Sequence, residues 1–162
     1  MNKVALSTIL LAFGLTSAFA AEISGQNRNG VILSMTESQV PGQQGRAIRQ
    51  ISEQFQTVKN SNPLFIGTSV QVAQQEVNGD RVIHHGFGET RNNQGDTYIW
   101  TANGIGQLQN GLPVEAGGRW EIVSGTGKLQ NVKGSGQYNC KFGPNTINGC
   151  DWSGNIEGAP SM

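Results

Sequence analysis

The chain is poor in the residues that carry most enzyme chemistry. Its 162 residues hold two cysteines and two histidines. A cysteine-rich zinc site is therefore excluded, and His84 and His85 are adjacent, so on a strand they point to opposite faces and cannot readily share a metal ion. No Gly-x-Ser-x-Gly elbow supports a serine nucleophile. Gly127-Lys128 lacks both the hydroxyl residue after the lysine and the earlier glycine of a phosphate loop, having Leu129 and Ile122 at those positions. The Gly-x-Gly pairs lack the third glycine of a dinucleotide fingerprint, where Gln130 stands. No metal and no cofactor is expected. Charge is also sparse and balanced, with 11 basic and 11 acidic side chains. Nucleic-acid partners need a clustered basic face, so they are not expected either.

One apolar run is present, at the start. Lys3 precedes a largely apolar stretch from Val4 to Leu15, followed by small residues at Ala18 and Ala20. This is the form of a cleaved signal peptide, with cleavage after Ala20. The run is interrupted by Ser7 and Gly14 and is shorter than the roughly 20 apolar residues that span a bilayer. The mature chain, residues 21–162, is expected to be a single domain in the periplasm or outside the cell, with no membrane span.

Glycine is abundant, at 23 residues, and long helix-forming runs are scarce, so alternation decides the fold class. Trp120 and Ile122, then Tyr138, Cys140 and Phe142, then Cys150, Trp152 and Ile156 all fall on even positions between polar residues. Period-two alternation marks half-buried strands. Strands are also expected over Val31–Val40, Phe65–Glu76, Arg81–Glu89 and Thr97–Gln107, with turns at Asn78-Gly79 and at Asn92–Asp96. Leu108 to Gly117 reads as a loop. Between Pro41 and Pro63, the spacing of Ala47, Ile48, Ile51, Phe55 and Val58 fits a short helix, although strand plus loop fits as well. The glycine pairs Gly86/Gly88, Gly104/Gly106, Gly125/Gly127 and Gly134/Gly136 suit the kinks of a closing sheet. The fold expected is all-β: a small antiparallel, closed or nearly closed β-barrel of about eight strands with room for one short helix.

The segment around Trp120-Glu121-Ile122, the Gly125-Thr126-Gly127 turn and the Gly134-x-Gly136-x-Tyr138 strand opening resembles the late strands of allene oxide cyclase-like barrels, which include small exported bacterial proteins; dirigent proteins are more distant in shape. The resemblance covers about a third of the mature chain. It implies an eight-stranded antiparallel barrel, often oligomeric, with a lumen open at one end. The plant enzymes' catalytic residues are not placed on this sequence by the resemblance, so cyclase activity is not carried over.

Candidate site residues are few. His85 shares a face with Ile83, Phe87 and Glu89, which makes a His85–Glu89 pair on the lumen side the sharpest acid–base candidate. Tyr98, Trp100, Trp120, Tyr138 and Trp152 occupy even positions and could line an apolar pocket or simply form core. Cys140 and Cys150, on the inward face of adjacent strands in an exported chain, should form a disulfide. The expected role is binding, of a small apolar or aromatic ligand in the lumen or of a protein partner. A lumen isomerase or cyclase, or an oligomeric structural subunit, are the rivals.

Overall fold

The computed structural model describes residues 20–143 and 146–160. The expected leader therefore falls, except for Ala20, outside the described residues. Eight antiparallel strands form one closed ring: β1 (Ala21–Gln39), β2 (Arg46–Asn60), β3 (Gly67–Asn78), β4 (Arg81–Asn92), β5 (Thr97–Gln109), β6 (Leu112–Gly125), β7 (Lys133–Gly143) and β8 (Thr146–Glu157). Each strand pairs with its neighbours in sequence, and β1 closes on β8 from Ala21 opposite Ile156 to Val31 opposite Thr146. Closure leaves few free edges to template aggregation.

One end of the ring carries tight turns. Gly79 (φ 63°) and Asp80 join β3 to β4, one residue later than Asn78-Gly79 suggests. Asn110 and Gly111 (φ 54° and 77°) join β5 to β6, both in the left-handed region that a type I′ hairpin requires. That two-residue turn replaces the loop expected over Leu108–Gly117. The chain re-enters the sheet at Leu112, and Pro113 is accommodated because this part of β6 bonds only to β5. The other end is plugged. Short 3-10 turns at Pro63–Phe65 and Gly127–Leu129 push Phe65 and Leu129 into a fully buried cluster with Val132, Ile23, Tyr98, Ile122 and Ile156. Phe65, expected to open a strand, instead meets Tyr98 edge-on at 5.3 Å.

Between Pro41 and Pro63 the chain forms a strand, β2, with a short loop at either end; of the two readings the spacing allows, strand plus loop is the one adopted and the helix is not. Within β2, Ala47, Arg49, Ile51, Glu53, Phe55 and Thr57 are all buried while the residues between them are mostly exposed. Ala47, Ile51 and Phe55 are spaced by four, a separation that satisfies the helical and the strand period alike. The positions that separate the two readings, 49 and 53, hold charged residues pointing inward.

Candidate functional site

The inner face of each strand supplies the lumen. Tyr98, Trp100, Trp120, Tyr138 and Trp152 all project into it, joined by Phe55 from β2. Two aromatic contacts organise them: Phe55 against Trp100 at 5.9 Å, and Trp120 edge-on to Trp152 at 5.6 Å. Glycine on the facing wall makes room for the indoles. Trp100 lies over its cross-strand partner Gly88, where a Cβ would stand 2.7 Å from the ring's Cε2. Trp120 lies over Gly136, where a Cβ would be 2.7 Å from that ring. At these positions the glycine pairs serve ring clearance as well as curvature.

The sequence placed the histidines on the wrong faces. His85 and Glu89 are on the barrel exterior, where His85 Nδ1 lies 2.8 Å from Asn103 Oδ1 and Glu89 stands 3.7 Å from Arg91. His84 faces the lumen, 7% exposed. The apolar residues that seemed to mark the inner face, Ile83 and Phe87, are 41% and 55% exposed. On β4 the inner positions are Val82, His84, Gly86, Gly88, Thr90 and Asn92; small and polar residues stand there because aromatic rings from other strands fill the space.

His84 Nε2 and Tyr138 Oη share a hydrogen bond across the lumen, from β4 to β7. Gly104 lies beside this link, where a Cβ would approach Tyr138 Oη to 2.6 Å. Burial, and secondarily the charge of His85, lowers the His84 pKa to about 4, so the imidazole is neutral at pH 7. Burial raises the Tyr138 phenol above its ordinary value, and the neighbouring Glu53 carboxylate raises it further. Tyr98, deep in the plug, is pushed up to about 12, chiefly by burial.

The remaining lumen polar groups are mostly satisfied. Trp100 Nε1 donates to Thr90 Oγ1 at 3.0 Å, and Thr90 is 2.7 Å from Ser69 Oγ. Trp152 Nε1 and Thr57 Oγ1 both donate to Asn27 Oδ1, at 3.1 and 2.9 Å. Trp120 Nε1 donates to the Gln137 carbonyl at 3.1 Å. Towards the turn end, buried Arg49 crosses the mouth, bonded through Nε and Nη2 to Glu37 at 2.9 and 2.7 Å and to the Gly111 carbonyl at 3.2 Å.

Among the buried polar residues Glu53 is the exception. It is 7% exposed and lines the cavity, and among the described residues it has neither a hydrogen-bond nor an ion-pair partner. Burial alone raises its pKa from 4.5 to about 7. Its inward direction is hidden in the sequence because Ala47, Ile51 and Phe55 satisfy helical and strand spacing alike; strict alternation through them turns Glu53 inward. The cavity itself is about 120 Å³ and mainly apolar. Cys140 and Cys150, directly cross-strand and buried on its wall, are bonded as a disulfide.

Among the described residues no three metal-ligating side chains come together, and no helix is long and apolar enough to cross a membrane. Compared with models of known protein families and with curated protein sequences, the chain matches none.

Proposed function

We propose that this protein is an exported binding protein whose barrel lumen holds one small, mainly apolar aromatic molecule. The observation that carries this reading is the cavity of about 120 Å³ walled by aromatic rings, with one buried polar group left unengaged inside it. An engineered apolar cavity of about 150 Å³ takes up benzene, so a space of this order suits a ligand of one ring. Apolar walls with a few placed polar groups are what small-molecule sites require. The eight-stranded ring also supports the resemblance to allene oxide cyclase-like barrels. Export rests on the leader-like first 20 residues and fits the disulfide; an N-terminus at Ala21 in the mass of the exported protein is its check.

The test is a titration with benzyl alcohol followed by tryptophan fluorescence. Saturable binding is expected, and Ala102→Leu, which extends a buried side chain into the lumen beside its cross-strand partner Trp120, should abolish it. Binding unaffected by the filled lumen overturns the reading, as does absence of binding by benzyl alcohol and by its charged analogues alike.

One observation favours a second reading, self-association. Val70, Val72, Ile83, Phe87 and Ile105 are exposed on the outer face of β3, β4 and β5, with Val72 opposite Phe87 and Ile83 opposite Ile105. These exposed apolar side chains, on either side of the polar row of Gln74, His85 and Asn103, suit a second copy of the barrel. A concentration-independent monomer mass by light scattering would rule this out.

A further inference from the structure

The unpartnered carboxyl of Glu53 narrows the ligand class. An isolated carboxyl is costly to bury, and proteins ordinarily give a buried acid donors or a counter-charge. Here the nearby candidates are committed elsewhere. The three indole N–H groups all have acceptors. His84 and Tyr138 bond to each other. Arg49, four residues before it on the same strand face, is held by Glu37 and by the Gly111 carbonyl. Glu115, at the β6 side of the cavity, is a second acid and not a donor. Tyr98, which lines the cavity at its plugged end, is engaged by the Thr90 and Thr57 hydroxyls. Only the half-buried amides of Gln71, directly cross-strand from Glu53, and Gln75 remain on the adjoining wall.

The chamber thus combines an unneutralised acid with π-faces from Phe55, Trp100, Trp120, Tyr138 and Trp152, and no free cation among the described residues. Aromatic faces carry negative quadrupole charge and attract organic cations, most strongly where water is excluded. An anionic ligand would meet acid and ring faces together. A neutral ligand would leave the carboxyl unpaired or protonated.

We infer that the lumen ligand is a small organic ammonium ion, its nitrogen against the Glu53 carboxylate and its apolar body among the indoles. This rests on the lumen being the binding site. Arg49 and Glu37 already neutralise each other and Glu115 is exposed to solvent, so the ammonium supplies the counter-charge that buried Glu53 lacks. Since free Glu53 holds its proton up to about pH 7, an ammonium ion displaces that proton on binding in mildly acid solution. Affinity should therefore rise about tenfold between pH 6 and pH 8.

The experiment is calorimetric titration at pH 8 with three probes of one shape, benzylamine, benzyl alcohol and benzoate. Benzylamine should bind at least about tenfold tighter than benzyl alcohol, and benzoate least. Glu53→Gln should weaken benzylamine about tenfold or more and leave benzyl alcohol within about twofold. A measurement on the unaltered protein guards against a misfolded variant: at pH 6, benzylamine binding in buffers of different ionisation enthalpy should show release of close to one proton. Benzyl alcohol binding as tightly as benzylamine, or no proton release, overturns the ammonium assignment while the lumen reading stands. Failure of all three probes to bind overturns both.

Discussion

Glu53 and His84 are two buried titratable groups with opposite effects on stability. Glu53 has a folded pKa of about 7 against 4.5. Between those values the folded state keeps a proton that the unfolded state has lost, so stability falls as pH rises through this window. His84 has a folded pKa of about 4 against 6.5. There the unfolded state binds the extra proton, so stability rises with pH. Each shift corresponds to ~3 kcal/mol, and in the native protein the two largely cancel. Single variants should separate them. Glu53→Gln should show stability rising from pH 4 to 6.5 and exceeding the native protein by ~3 kcal/mol at pH 8. His84→Gln should show stability falling between pH 4.5 and 7. Urea denaturation at pH 4.5, 6 and 8 measures both, and parallel pH profiles for the three proteins would contradict the account.

The same residues mark what was legible at this scale. Aromatics at even positions 98, 100, 120, 138 and 152 face inward as alternation implies. Faces assigned from apolar neighbours failed on β4, because the exterior carries Ile83 and Phe87 exposed while an interior crowded by rings from elsewhere requires Gly86 and Gly88. No single-strand pattern reveals which rings arrive from across a lumen.

Among the elements, the strands with unbroken alternation were legible and β2 was not, since Arg49 and Glu53 interrupt its apolar series at the positions that would identify it. The β7–β8 hairpin was the clearest. Its apolar positions and cysteines agree, and Cys140 meets Cys150 in register. With a sequence separation of 10, this crosslink should contribute ~2–3 kcal/mol in the chain-entropy model. The Cys140→Ser, Cys150→Ser double variant should lose about that much in chemical denaturation while keeping its β-sheet circular dichroism. A loss below about 0.5 kcal/mol would show that the sheet pairing alone already restricts the unfolded chain.

At the scale of the whole molecule, the barrel puts its two unusual surfaces on opposite sides of one wall. Inner positions of β3 to β5 carry Ser69, Ala73, His84, Thr90 and Ala102 around the cavity; outer positions of the same strands carry Val70, Val72, Phe87 and Ile105 exposed. The lumen reading and the self-association reading thus predict responses on different faces of the same strands. NMR titration of the protein with benzylamine, following the alanine methyls and the indole N–H groups, separates them in one experiment. The account predicts saturable, one-to-one shifts at Ala73, Ala102 and the indoles of Trp100, Trp120 and Trp152, with the methyls of Val70, Val72 and Ile105 unmoved. Shifts confined to those outer methyls, with the inner alanines and indoles unmoved at saturating benzylamine, would contradict it.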